Sequence, residues 1–247
     1  MENRGKLYVI GNGPGDISLT APKAADVIKN ADLICGYKPY VEQITPLINA
    51  RTEVFTNGMT GEMERVQVAL EHCAKGLKVA LVCGGDASLY SMASLVFELS
   101  EDVDAIEIIP GITSALSASA KLGAPVSDDM VILSMSDLLT PWELIRKRID
   151  AVNIGDFVCA IYNPRSRKRT TQLPYAVEKF MTARGDLPCG WVKNCDREDE
   201  QICVTTLRQL DFEQIDMSTV VIVGSTKTFI KSGKMVSPRG YTEKYST

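Results

Sequence analysis

Three glycine-rich turns carry residue types suited to holding a small ligand against the main chain: Gly11-Asn-Gly-Pro-Gly-Asp16, Gly84-Gly-Asp-Ala-Ser-Leu89 and Pro110-Gly-Ile-Thr-Ser114. Each follows an apolar run of high β propensity. Each therefore reads as the carboxyl end of a buried strand, the edge where ligands collect in open α/β sheets. Glycine lets a ligand or a neighbouring loop approach closely, and Asp86 is placed to accept hydrogen bonds from a ribose or an α-ammonium group. The plainer alternative is a Gly-Asp turn that caps a helix over 88–99. The first turn has the spacing GxGPG, not that of a dinucleotide fingerprint, and Pro14 removes a backbone N–H where a pyrophosphate needs a donor. A neutral or cationic ligand fits it better.

A second chemically capable group is basic. Arg165, Arg167, Lys168 and Arg169 directly follow the apolar run 157–162, in a chain whose formal net charge is −4. They read as a site for a carboxylate-rich or phosphate-bearing ligand or, more plainly, as a solvated face. With neither interleaved aromatics nor a second basic stripe, the segment gives no case for nucleic acid. His72, the single histidine, lies on a helical pattern without a partner motif and is not read as a catalytic base. The seven cysteines (35, 73, 83, 159, 189, 195 and 203) form no C-x-x-C pair and mostly lie within apolar runs, so they read as buried reduced thiols. Cys189, Cys195 and Cys203 match no zinc or iron–sulfur spacing, and no metal is expected. Val223-Gly-Ser-Thr-Lys-Thr228 follows a strand but lacks the full phosphate loop of nucleotide kinases.

The elements that must position these residues alternate between β and α patterns. Strands are expected at 7–10, 32–36, 79–83, 105–109, 130–133, 157–162, around 191–193, at 202–206 and at 219–223. Helices are expected at 20–30, 36–48, 61–76, 88–99, 115–122, 140–152 and 172–183, with a closing hairpin over 229–241 that turns at Gly233. Thr20 reads as a cap with Pro22 in the first turn, and Thr140-Pro-Trp-Glu143 as a capping box. The pattern is α/β throughout. At 247 residues it divides best into two α/β domains with a cleft between them, 1–122 and 123–247. A composition of 45% hydrophobic and 23% charged residues is that of an ordinary soluble protein. No signal-type apolar stretch precedes the first strand, and no run reaches the ~18 residues of a membrane span, so a cytoplasmic protein is expected.

Taken in order, GNGPGD, GMTGEMER, VCGGDASLYSMA, PGITSA, GAPVSDD, SMSDLLTPWELIRKR, AIYNPRSRKR and MVSPRGY cover nearly the entire chain. Together they resemble the tetrapyrrole methylases, S-adenosylmethionine-dependent enzymes of cobalamin and sirohaem biosynthesis. SDLLTPWE, IYNPRSRKR and PRGY resemble the branch that acts on C(17) of precorrin-3B. The resemblance implies two αβα domains with S-adenosylmethionine in the cleft between them, in a homodimer. It implies cofactor contacts at Pro14, Gly84, Gly85, Asp86, Leu89, Thr113, Ser114, Asn163 and Asn194. The implied reaction is methyl transfer to C(17) with contraction of the macrocycle, on a metal-free substrate or, in anaerobic relatives, a cobalt-containing one. Methylation at C(11) or C(20), and a non-catalytic tetrapyrrole-binding protein, are the alternatives.

The acetate and propionate arms of such a substrate would pair with Arg165, Arg167, Arg169 and Arg239, with Arg146 as a further candidate. A nucleophilic ring carbon and a sulfonium donor need alignment in a dry site more than a strong base. Contraction needs a proton moved from the C(20) hydroxyl, and Asp128, Asp129 and Asp137 are the candidates. Relatives often read GAP-x-x-His-Asp-Phe where this chain has Gly123-Ala-Pro-Val-Ser-Asp-Asp-Met130, so Asp128 stands at the usual histidine position.

Overall fold

Apolar strands with no polar alternation need cover on both faces, and the computed structural model, which describes residues 5–245, supplies it twice. The chain divides into two compact units, Met1–Ser114 and Ala115–Thr247. In the first, β1 (Lys6–Gly11), α1 (Pro22–Asn30), β2 (Leu33–Tyr37), α2 (Lys38–Gln43), β3 (Glu53–Asn57), α3 (Glu62–Ala74), β4 (Lys78–Cys83), α4 (Ala93–Leu99) and β5 (Ile106–Ile109) follow one another. The sheet has the order β3-β2-β4-β1-β5, and all of its strands are parallel. Side-chain alternation then sorts the core. Leu7, Val9, Val79 and Leu81 pack with Val66, Ala69 and Cys73 of α3 and Val96 of α4. Ile10, Ala80 and Val82 pack with Ala24 and Ile28 of α1 and Val41 of α2 on the other face.

The route of the chain places the glycine turns. From β1 it runs past β4 to β2, whereas from β4 it crosses β1 to reach β5, so the connections after the two central strands depart in opposite directions. Such a switch point is the edge at which ligands collect in open α/β sheets, and all three glycine turns emerge there.

The second unit takes in α5 (Ser114–Leu122), whose first residue belongs to the first unit. It continues with β6 (Gly123–Ala124), β7 (Met130–Ser134), α6 (Trp142–Ile154), β8 (Val158–Tyr162), α7 (Gln172–Arg184), β9 (Pro188–Lys193), β10 (Gln201–Thr206), β11 (Thr219–Val223), β12 (Phe229–Lys231), β13 (Lys234–Val236) and α8 (Tyr241–Lys244). Its main sheet has the order β10-β9-β11-β8-β7, in which β7 and β8 are parallel and the other neighbours antiparallel. Helices α6 and α7 cover one face through Ile145, Ile149, Leu173 and Phe180. Ala115, Ala118 and Leu122 of α5 cover the other, against Val158, Ala160, Val192 and Ile222. The closing hairpin forms, turning at Ser232 (φ 50°) and Gly233 (φ 74°), and β13 pairs with β6 in a small separate sheet.

Several local expectations are corrected. The unit boundary falls one helix before Gly123, because the small residues of α5 pack into the second core. The helix expected over 88–99 begins only at Ala93. The preceding residues form a turn, with Tyr90 at φ 51°. The stretch 36–48 is a short α2 and a separate 3-10 turn at Thr45–Leu47, and β3, a mostly exposed edge strand, has no counterpart in the sequence reading. Thr20 does not cap α1. Ala21 occupies the cap, and the Thr20 hydroxyl donates to the Asn12 carbonyl at 2.9 Å. The capping box at 140–143 does not form either: Pro141 is the cap, and Glu143 pairs with Arg146.

Candidate functional site

In the first unit the glycine turns are fastened to one another. Gly13 and Gly85 exchange backbone hydrogen bonds of 3.1 and 2.8 Å, and the Asn12 N–H donates to the Cys83 carbonyl at 3.0 Å. Positive φ at both glycines (88° and 68°) makes this pairing possible. A Cβ at Gly11 would stand 2.6 Å from both the Gly111 nitrogen and the Gly85 oxygen, so these turns touch backbone to backbone. A Cβ at Gly85 would meet Thr113 Cα at 3.7 Å, Ser114 N at 3.8 Å and the Ile112 oxygen at 3.9 Å, all ordinary contact. Gly84 instead lies under the Tyr40 ring.

Asp86 is the staple of this edge. One carboxylate oxygen accepts the Ser88 and Leu89 N–H groups at 2.8 and 3.2 Å, and the other accepts the Gly111 N–H at 3.0 Å. Three of its roughly four acceptor positions are thus filled by main chain, which leaves room for one further donor. Of the cofactor candidates, Gly84, Gly85, Asp86, Leu89, Thr113 and Ser114 share this edge, and buried Pro14 joins them through Gly13. At the other end of the sheet an open groove of about 350 Å³ is lined by Lys29, Asp32, Arg51 and Glu53; its mixed charges favour no single ligand sign.

In the second unit the carboxyl ends of β7, β8 and β9 share one edge, because β8 and β9 both run antiparallel to β11. Asn163 and Asn194 follow β8 and β9 there, both left-handed at φ 48° and 49°, a conformation asparagine tolerates better than most residues. The Asn163 amide donates to Ser134 Oγ at 2.9 Å, and its carbonyl accepts from Arg169 Nη2 at 2.8 Å. The Asn194 amide donates to Asp199 at 2.6 Å. Tyr162 Oη accepts the Ala115 N–H at 2.8 Å and so fixes the first turn of α5.

The basic segment divides by role. Arg165 donates to the Phe212 carbonyl at 2.6 Å and to Glu213 at 2.7 Å, and that hydrogen bond and charge raise its pKa. Arg169 is turned inward, its Nε buried without a partner, and burial lowers its pKa against the opposing charge of Asp137. Arg167 and Lys168 remain exposed. Arg146 is held by Glu143 and by the Tyr175 hydroxyl, both at 3.0 Å.

The candidate acids do not gather at one place. Asp137, which accepts from Gln172 at 3.0 Å, follows β7. Asp128 and Asp129 precede β7, a strand length of about 16 Å away. Asp128 pairs there with Arg239 at 3.1 Å, so Arg239 lies at the opposite end of β7 from Arg165, Arg167 and Arg169.

One cluster has no counterpart in the sequence reading. Cys195, Asp196 and Glu200 lie close enough to share a cation, and the Lys121 ammonium lies against them, 2.9 Å from Asp196 and 3.3 Å from Glu200. Ser117 Oγ also donates to Asp196. Burial alone would raise the Asp196 pKa, but the hydrogen bonds from Ser117, Lys121 and Cys195 and the ammonium charge outweigh it and hold the carboxyl low. Burial pushes the Cys195 thiol up to about 12, which makes it inert. None of the seven cysteines, all of them described, is in a disulfide. Among the described residues no helix is long and apolar enough to cross a membrane.

Comparison with known proteins gives the family. The profile of the family described as Tetrapyrrole (Corrin/Porphyrin) Methylases matches residues 6–211. The cobalamin biosynthesis protein CbiHC of Archaeoglobus fulgidus is 44% identical across 100% of this chain, which spans only 55% of that relative's length. The probable cobalt-factor III C(17)-methyltransferase of Salmonella typhimurium is 42% identical over 96% of this chain and 99% of its own. The crystal structure of the methyltransferase CobJ matches with a TM-score of 0.88 at 34% identity, covering 95% of this chain and 100% of that one.

Proposed function

The chain belongs to the tetrapyrrole (corrin/porphyrin) methylases, and from that membership we propose that it methylates C(17) of precorrin-3B or its cobalt-containing counterpart, with contraction of the macrocycle in cobalamin biosynthesis. The observation that carries the reading is the match to the Salmonella relative, 42% identical over 96% of this chain and 99% of its own. S-adenosylmethionine is the proposed methyl donor. The residues present fit such a ligand: Gly85 leaves open space beside Thr113 and Ser114, and Asp86 retains an acceptor position for a hydroxyl or ammonium group.

When bound, the donor supplies an electrophilic methyl group on a sulfonium. The chain's own contribution is alignment and exclusion of water, since a nucleophilic ring carbon needs no strong base. Pro14, Leu89, Asn163 and Asn194 are proposed as further donor contacts. Arg167 is the arginine of the basic segment whose guanidinium is left exposed for a substrate carboxylate; Arg165, Arg169 and Arg239 would act from positions already shared with protein groups. Of the acids proposed to move the contraction proton, Asp137 stands on the same edge as Asn163, and Asp128 and Asp129 do not. A homodimer and a cytoplasmic location complete the reading; seven cysteines with no disulfide between them support a reducing compartment.

The test is incubation of the purified protein with labelled S-adenosylmethionine and either metal-free precorrin-3B or its cobalt counterpart. Mass spectrometry and carbon NMR of the product should show one added methyl at C(17) and a contracted ring. A methyl at C(11) or C(20), or ligand binding without turnover, overturns the reading.

A further inference from the structure

The loop that joins β7 to α6 carries two adjacent leucines into solvent: Leu138 is 81% and Leu139 93% exposed. A single exposed leucine needs no explanation, but two in succession on a fastened loop do. The stem is held on both sides. The Met135 N–H donates to the Tyr162 carbonyl at 2.9 Å, the Ser136 N–H to Ser134 Oγ at 3.1 Å, and the Gln172 amide to Asp137 at 3.0 Å. Beyond the leucines, Trp142 stacks edge-on against Tyr175 with ring centroids 5.3 Å apart.

Charge leaves the same sheet edge as this apolar tip. Because β7 and β8 are parallel and Ser134 pairs with Tyr162, the loops 135–141 and 163–169 leave the same sheet edge side by side. The second of them carries exposed Arg167 and Lys168. Two exposed leucines and two exposed cations on neighbouring loops complement a flat apolar ring edged with carboxylates.

We propose that Leu138 and Leu139 form a clasp that lies on one face of the bound tetrapyrrole ring, while Arg167 and Lys168 take carboxylate arms at its edge. This rests on the tetrapyrrole reading above and names the residues of the second unit that recognise the ring. The leucines act through burial of apolar area, so methionine should replace them and serine should not.

The experiment compares wild type, L138S/L139S, L138M/L139M and R167A/K168A. Tetrapyrrole binding is followed by absorbance, turnover by KM and kcat, donor affinity by calorimetry, folding by thermal melting and assembly by sedimentation. L138S/L139S should raise KM and the dissociation constant for the tetrapyrrole about tenfold or more, the effect of losing one to two buried leucine contacts. Its kcat, donor affinity, melting temperature and oligomeric state should match wild type, and L138M/L139M should restore KM. R167A/K168A should raise KM in a salt-dependent way. Unchanged KM in L138S/L139S overturns the clasp, and so does a change in oligomeric state, which would assign the leucines to contact between copies. Failure of the wild type itself to bind any tetrapyrrole would instead overturn the proposed function.

Discussion

Asp86 joins two of the glycine turns, so its replacement separates a staple from a direct ligand contact. Its carboxylate accepts N–H groups from Ser88, Leu89 and Gly111 at 2.8, 3.2 and 3.0 Å. A hydrogen bond to a charged acceptor contributes about 1.5–3 kcal/mol, and one to a neutral acceptor about 0.5–1.5 kcal/mol. Ser88 is exposed and regains water when its bond is lost, so the Leu89 and Gly111 bonds carry most of the effect. Asp86→Asn keeps one oxygen toward Ser88 and Leu89 but turns an NH2 toward the Gly111 N–H, a loss of about 1.5–3 kcal/mol. Asp86→Ala removes both acceptor oxygens, and with them all three bonds, and should cost about 2–4 kcal/mol, a large share of the roughly 5–15 kcal/mol that stabilises a typical domain.

Urea unfolding gives the stability of each variant, and calorimetry with S-adenosylmethionine gives its affinity. Both variants should lose stability in the order Ala below Asn below wild type, and donor affinity should fall in the same order. Stability of Asp86→Ala within about 0.5 kcal/mol of wild type would refute the staple, because that is the range of surface substitutions without such bonds. A fall in affinity without a fall in stability would mean that the carboxylate acts on the ligand alone.

Other perturbations test neighbouring parts of the structure. Gly11→Ala sets a methyl against the backbone of Gly85, Asp86 and Gly111, with no flexible side chain to move, and should destabilise by about 1–3 kcal/mol or more in the same unfolding assay. Tyr162→Phe removes the acceptor of the Ala115 N–H at the start of α5 and should cost about 1–3 kcal/mol, while a distant exposed change such as Ile154→Val should not. Asp196 is held below the ordinary carboxylate range when folded, so its contribution is complete above the unfolded value of ~3.9 and is lost as pH falls through the folded one. Asp196→Asn should therefore be less stable than wild type at neutral pH, with the gap narrowing below about pH 4 in pH-dependent denaturation. A gap that stays constant with pH would mean that the Lys121 ion pair contributes nothing through charge.

What the sequence exposed and what it hid follow from how far each interaction reaches along the chain. The glycine turns were legible because an apolar strand that ends in glycine is a local pattern, and the strand order then had to bring three such turns to one edge. The role of Asp86 was half legible. A turn acceptor for Ser88 and Leu89 is local, but its bond to Gly111 spans 25 positions and leaves no trace in spacing. Edge strand β3 escaped because its side chains are mostly exposed, and a strand with one open edge need not be apolar.

The capping residues failed for a related reason: Thr20 has the right side chain at the right place, yet its hydroxyl finds the Asn12 carbonyl, a tertiary partner that local propensity cannot weigh. The aspartates show the same limit at the level of function. Asp128, Asp129 and Asp137 are near one another in sequence, but β7 runs between them and carries them to opposite ends of the sheet. A shared role in moving one proton therefore requires either that Asp137 act without the other two or that Asp128, tied to Arg239, serve a different step. Asp137→Asn and Asp128→Asn separate these cases. If Asp137 moves the proton, its variant should still bind substrate while losing about 10²–10⁴-fold in the rate of contraction, and Asp128→Asn should keep that rate. Equal losses in both variants would refute the division of β7 into a reacting end and a supporting one.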